Sequence, residues 1–396
     1  MTGNVTAGSD SITFAVGSTL FASPGTNSVH AAAGWTIAEF NVFGDAGGGQ
    51  ANFAAGTTVI PRSRITYGGT TAPNCVAQGF TGETNNLNFG PGTPASSPPG
   101  PAVFFNMTNA GGALTSCSGS TTVGDTHLIT FNGLLYDFQA SGDFILAQAP
   151  DFVVHARQVS GAPTWPDAAV NQAIATRMGG NAIAICPTRD GPALTVNGRP
   201  TELANNQPLS LDGGVDIWQE GDNVYTILDQ AGNAVRATIN ANPRYVNVSV
   251  GLGTQPETVT GVLANANNNV SQIAARDGTV LTAPFLFGGL YGSYGTGWRV
   301  PPLEDTLLSA CGSITENSIP SKPFYTKDLD IQLSAPALKI CQAAGVDDPA
   351  LLDACTLDVA VLGTESAATV YVGMSPPIAV GQVVLTTNTY VPLVNK

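Results

Sequence analysis

Gly124-Asp125-Thr126-His127-Leu128-Ile129-Thr130-Phe131-Asn132-Gly133-Leu134-Leu135-Tyr136-Asp137-Phe138 is the stretch on which the reading of this chain turns. Its first four residues are a polar, turn-like cluster. Residues 128–131 are a short apolar run closed by Asn132-Gly133. Both residues of that dipeptide tolerate positive φ, so it is a strong hairpin signal. Residues 134–138 resume as a second strand of aromatic and branched side chains. Ser141-Gly142-Asp143 then turns the chain again before Phe144. The stretch predicts a β-meander with an Asn-Gly corner.

The composition around it suits short strands joined by many turns. Gly (46) and Pro (27) are abundant, and charged residues make up 11% of a 396-residue chain, enough for two or three domains. The net charge is −14, and lysine occurs only at 322, 327, 339 and 396. Phosphate backbones and anionic membrane surfaces both need clustered cations, so nucleic acid and membrane surface are poor partners for this chain. No apolar run reaches the roughly 18 residues of a spanning helix, so membrane insertion is not expected. Residues 1–20 carry neither a basic start nor a continuous apolar stretch, so no secretory signal is visible.

Six cysteines form an even set: Cys75, Cys117, Cys186, Cys311, Cys341 and Cys355. None lies in a CxxC pair and His30, His127 and His155 are scattered, which argues for disulfides in an oxidising compartment rather than zinc.

Residues 1–115 read as an all-β unit resembling a sandwich, with strands expected at 11–16, 36–43, 57–60, 64–67 and 102–107. Its Gly44–Gly49 run is turn chemistry, not a phosphate loop, because no GKS/T ending follows. The proline-rich stretch 90–101 is expected to be an exposed loop that does not pair in a sheet. Further strands are expected at 152–158, 173–178, 182–185, 194–196, 215–219, 225–228, 235–239 and 245–250, with a second hairpin corner at Asn197-Gly198. The aromatic and glycine run 285–294 reads as strands packing in the core or as a sticky exposed loop. Helices are expected at 335–344, stopped by Gly345, and at 350–361, capped by Asp347-Asp348-Pro349. Residues 369–372, 380–385 and 390–394 read as a return to β.

The string GDTH, then TFNG, then a tyrosine strand resembles the opening of a von Willebrand factor type D domain, whose pattern is GDPH and TFDG. Residues 261–267 resemble that family's CGLCGN segment without its cysteines, and 297–300 resemble its SWRV closing segment. The resemblance implies a mainly β fold: a β-sandwich type D domain over 116–303, preceded by the all-β unit 1–115. A small two-helix cysteine-rich module over 304–363 and a β segment over 364–396 would follow. In that module the two helices would bring Cys341 and Cys355 together across a hairpin; the pairing of the other four cysteines stays open.

In some relatives the Asp-Pro bond of GDPH breaks autocatalytically. Thr126 replaces that proline, so no cleavage is expected, and Asp125 with His127 is read as a structural pair rather than an acid–base couple. Family members also hold calcium through positions that correspond here to Asn132, Asn265, Asn267 and Asn269. All four are neutral, so the implied site is weak; Asp277 could add one charge. The resemblance implies a non-enzymatic extracellular or cell-surface structural and adhesion protein that self-assembles or joins other surface proteins or glycans. The alternatives are a calcium-dependent carbohydrate- or protein-binding module and a surface hydrolase, which would need two convergent carboxylates. Sequons stand at Asn4, Asn106, Asn247 and Asn269.

Overall fold

The computed structural model describes strands within residues 2–23, 58–64 and 88–108 and, apart from short stretches, residues 119–385. The expected strands 36–43 and 390–394, together with Cys75 and Cys117, lie outside the described residues. By contacts the chain forms two units, one of residues 1–52 with 82–85, the other of 53–81 with 86–396. In the first, β1 (Thr2–Thr6), β2 (Ser9–Val16) and β3 (Thr19–Ser23) make an antiparallel sheet with β2 in the centre.

In the second unit, β4 (Thr58–Val59), β5 (Arg62–Arg64), β6 (Asn88–Ala95) and β7 (Ala102–Thr108) pair around β7. Part of the proline-rich stretch therefore does pair, against expectation. The register slips between Phe89 and Gly92, so Pro91 falls in the irregularity, and among the described residues β6 pairs with β7 alone. A bulge on an edge strand is where proline costs least.

Two larger sheets follow. The first runs in the order β17-β18-β19-β20-β21-β8-β9-β10-β24. Its early strands are β8 (Gly119–Val123), β9 (His127–Ile129) and β10 (Leu134–Asp137). Its later ones are β17 (Leu209–Leu211), β18 (Val215–Glu220), β19 (Val224–Leu228), β20 (Ala234–Ala241), β21 (Arg244–Gly251) and β24 (Ile378–Ala379). The second sheet is a six-stranded meander: β11 (Gly142–Ala149), β12 (Phe152–Gly161), β13 (Trp165–Met178), β14 (Asn181–Thr188), β15 (Gly191–Val196) and β16 (Arg199–Thr201). A small hairpin joins β22 (Gln272–Ala274) to β23 (Val280–Thr282).

The two Asn-Gly corners behave differently. Asn197 and Gly198 both have positive φ and close the β15–β16 hairpin in two residues, as a primed turn requires. At the opening hairpin only Gly133 has positive φ, and its N–H donates to the Thr130 carbonyl oxygen. Asn132-Gly133 therefore closes a type I turn with a bulge, one residue longer than the tightest hairpin.

Alternation along these strands aims one face of each sheet inward. Leu128, Leu134, Tyr136, Ile217, Val246 and Val248 from the first sheet share a buried cluster with Phe144, Val154, Ala156, Ile174 and Ile185 from the second. Each Val, Leu, Ile or Phe among them contributes about 1.5–3 kcal/mol by leaving water. Phe285, Leu290, Tyr291, Tyr294 and Trp298 plug the same cluster. The 285–294 run is thus core, but it is not strand. Residues Gly289–Tyr294 form a wide helical turn and α1 (Gly295–Gly297) continues it. Three glycines in this run let Tyr291 and Tyr294 turn to one side, where Tyr291 stacks on Phe138 at 5.7 Å.

Beyond the sheets lies a small helical region. The helix α2 (Ile331–Ala343) is capped by Asp330, whose carboxylate accepts from Gln332 N–H. It starts four residues before the expected 335, because Asp330 supplies the cap and Pro336 is tolerated inside at the loss of one backbone bond. The helix α3 (Pro349–Leu362) is capped by Asp348 and ends at Gly363, φ 66°. The expected strand 369–372 is instead a 3-10 helix, Glu365–Tyr371, whose Ala367, Ala368 and Tyr371 are buried. Two small alanines let this turn lie flat in the helical cluster, which a pleated strand could not do. Of the expected strand 380–385, Val384 makes one parallel bridge to Leu286.

Cys341 and Cys355 are disulfide-bonded across α2 and α3, with Cα atoms 6.1 Å apart. Cys186 on β14 pairs with Cys311, 125 residues away. Replacing Cys341 and Cys355 by alanine is expected to cost about 3 kcal/mol, the chain entropy of a loop of this size. Thermal unfolding with and without reductant checks it; no shift in either comparison would count against an oxidised pair.

Candidate functional site

The opening cluster GDTH sits where β8 passes into β9, and the sequence dictates its geometry residue by residue. Gly124 takes φ 56°, and a Cβ there would lie 1.5 Å from Oδ2 of Asp358. The backbone at 124 can thus press against a carboxylate from α3 only because the residue is glycine. The Gly124 N–H donates to Oδ1 of Asn247 on β21 at 2.9 Å, and the Asp125 N–H donates to Oδ1 of Asp358 at 2.7 Å. Thr126 has φ 67°, unusual for a β-branched residue. Its hydroxyl donates within a buried set formed by the Phe138 carbonyl oxygen at 2.8 Å and Oε1 of Gln139 at 3.2 Å.

His127 lies at the centre of the cluster. Its Nδ1 is 2.6 Å from Oδ1 of Asp137 on the neighbouring strand β10. Its Nε2 is 2.7 Å from Oδ1 of Asp125 and 3.5 Å from Oδ1 of Asp358. The first of these pairs the ring with the Asp125 carboxylate, whose other oxygen, Oδ2, is buried without a hydrogen-bond partner. Tyr371 donates its hydroxyl to Oδ2 of Asp358, which fixes that carboxylate from the far side. Asp125 and Asp358 are fully buried and His127 nearly so.

Three carboxylates facing one imidazole set the electrostatics. Burial pushes the Asp125 carboxyl up to about 7; His127 pulls it down, and Asp358 and Asp137 add to the rise. Burial drives the His127 imidazole down, but the Asp125, Asp137 and Asp358 carboxylates outweigh it and hold it well above its ordinary range. Burial and Asp358 together keep the Tyr371 hydroxyl protonated. Asp125, His127 and Asp358 have ligand atoms within 4.8 Å of one another and could hold a metal ion.

The expected contact of Asp125 with His127 is thus present, joined by Asp137, Asp358 and Tyr371, which the sequence did not single out. One signal was available: Asp358 is an acid flanked by Leu357, Val359, Ala360 and Val361 in the apolar second half of α3, where a charge needs a buried partner.

The asparagine positions lie elsewhere. The Asn132 N–H donates to Oδ1 of Asn265 at 3.2 Å, which places those two loops together. Oδ1 of Asn269 accepts from the Ser271 N–H and hydroxyl. Asn267 takes φ 51° and is exposed. Asp277 is exposed and accepts from the Thr279 N–H. Of the sequons, Asn247 is buried at the GDTH corner, so a glycan there would dismantle the contact to Gly124.

Thr126 also bears on cleavage. Proline is locked near φ −65° and could not occupy this backbone. With threonine in place of proline after Asp125, purified protein is expected to run as a single band near 40.4 kDa on a denaturing gel. A reproducible fragment pair split between Asp125 and Thr126 would contradict this.

Residues 120–271 match the family model of the von Willebrand factor type D domain. None of the curated proteins compared with the chain matches it. The type D domain is therefore present over 120–271, while Asp358 and Tyr371 lie outside the matched residues. The domain and the two disulfides are consistent with an extracellular protein, and the type D family is generally non-catalytic.

Proposed function

We propose that this chain is a non-enzymatic structural and adhesion protein of the cell surface or extracellular space, which associates with copies of itself or with other surface proteins or glycans. The type D domain at 120–271 is the observation that carries this reading. The domain plan is an all-β unit over 1–115, a type D β-sandwich over 116–303, a cysteine-linked helical module over 304–363 and a C-terminal segment over 364–396. The buried GDTH corner supports a structural role, because it fastens the helical module to the sheet. A surface hydrolase would need carboxylates open to substrate, whereas Asp125 and Asp358 are closed off.

Association through sheet edges follows from the lysine-poor composition, since lysine on an edge strand is a common guard against pairing. The segments expected to offer such edges are 11–16, 369–372 and 380–385; β2 is paired on both sides, 369–371 is helical, and in 380–385 Val384 bridges Leu286. Among the described residues β1 and β3 are the edges of the three-stranded sheet, and Thr19 and Ala22 on β3 are exposed. The expected result is a solution mass that grows with concentration in light scattering, suppressed in a variant carrying Thr19→Lys and Ala22→Lys. A strict monomer at high micromolar concentration would end the proposal.

A calcium-dependent binding module is the second reading, favoured by the contact between Asn132 and the Asn265–Asn269 loop. Four neutral ligands make weak binding the expectation, so millimolar calcium should raise the melting temperature slightly, and Asn267→Asp should enlarge that rise. No shift at millimolar calcium in either protein would remove calcium from the description.

A further inference from the structure

We infer that Asp125, His127 and Asp358 form a divalent transition-metal site of the zinc class, separate from the asparagine loop, which staples α3 to the type D sheet. The donor set chooses the ion. An imidazole nitrogen with carboxylate oxygens suits zinc, whereas calcium and magnesium take oxygens alone and soft copper(I) prefers sulfur. Tetrahedral zinc bonds of about 2.0–2.1 Å put ligand atoms about 3.3 Å apart. Nε2 of His127 and Oδ1 of Asp358 are already 3.5 Å apart. Asp125 Oδ1 sits closer, 2.7 Å from Nε2, and must open by a fraction of an ångström.

Two independent observations point to a ligand rather than to a simple acidic cluster. Oδ2 of Asp125 is fully buried and makes no hydrogen bond, which is costly unless something else binds it. The other ring nitrogen is already engaged, with Nδ1 at 2.6 Å from Asp137. A carboxylate behind the imidazole fixes its tautomer and leaves Nε2 to the metal, an arrangement that recurs at histidine-ligated metals. Tyr371 orients Asp358 in the same way, by donating to its second oxygen. A dication would also offset the charge of three carboxylates gathered around one imidazole.

The test uses the full chain, stripped with chelator, incubated with zinc or cobalt(II) while warmed toward its transition so that the buried site can load, then desalted. The expected result is about one zinc retained per chain, a raised melting temperature, and cobalt d–d absorption of a low-coordinate site. Equal concentrations of calcium or magnesium should reproduce none of it. Asp137→Asn, which leaves all three ligands in place, should weaken zinc binding 10–100-fold. Asp358→Asn, nearly isosteric, should abolish it. Where Asp358→Asn fails to fold, the assignment falls to His127: a His30→Gln, His155→Gln double variant must keep the zinc. No retained metal and no cobalt bands in the wild-type chain would overturn the inference. So would undiminished zinc in folded Asp358→Asn, or loss of zinc in the double histidine variant.

Discussion

Alanine at Gly124 is expected to destabilise the protein by roughly 3–5 kcal/mol, the sum of a left-handed backbone penalty and a steric conflict that cannot relax cheaply. The atom met is Oδ2 of Asp358 at 1.5 Å, and that carboxylate cannot swing away freely. Oδ1 accepts from the Asp125 N–H and Oδ2 from the Tyr371 hydroxyl, so moving it strands two buried donors. A loss of this size lowers the melting temperature by on the order of 10 °C in a domain of this length. Gly124→Ala should cost much less in an Asp358→Ala background than in the wild type, because there the clash is gone and only the φ penalty remains. A melting temperature within a degree or two of wild type for Gly124→Ala would show that the two elements do not press together there.

Asp143→Ala is expected to cost about 3–5 kcal/mol, the penalty of stranding a buried charge. Arg157 is nearly fully buried, and its guanidinium donates to both Asp143 oxygens, at 2.8 and 3.0 Å. The same guanidinium donates to the carbonyl oxygens of Cys311 and Gly312, so it also holds the turn that carries the Cys186–Cys311 disulfide. Without Asp143 the cation keeps its desolvation cost and loses its counter-charge. Replacing both partners, Asp143→Leu with Arg157→Met, should be much closer to wild type in denaturant unfolding, because no charge is left behind. Equal losses for the single and double variants would mean that shape rather than charge dominates at this position.

The parts of the fold that were legible in the sequence are those in which local chemistry and tertiary packing agree. Asn197-Gly198 closes its hairpin because both residues accept positive φ, and along 235–250 the alternate residues Val235, Ala237, Ile239, Val246, Val248 and Val250 all join the buried core. Cys341 and Cys355 pair because two capped helices joined by a short turn leave them little choice. Packing overrode local pattern elsewhere. The 285–294 run carries strand-forming aromatics, yet it winds into a helical turn because three glycines bend it and the core takes its tyrosines. Residues 369–371 look extended in composition, but Tyr371 reaches Asp358 only from a helical turn.

The site was half legible for a related reason. Asp125 and His127 are two residues apart and share a motif, so a sequence shows them together. Asp358 lies 233 residues beyond Asp125, and only the docking of α3 on the β8–β9 corner makes it a neighbour. Cys186 and Cys311, 125 residues apart, are likewise remote in sequence, with nothing local to mark them as partners.

The most direct test of the junction between sheet and helices is native-state hydrogen exchange. The Asp125 amide and the central amides of α3 (Pro349–Leu362) should exchange with the same opening free energy as those of β21 (Arg244–Gly251), because the GDTH corner makes them open as one unit. Exchange of α3 through an opening several kcal/mol cheaper than that of β21, with Asp125 still protected, would contradict the fastening of the helical module to the type D sheet.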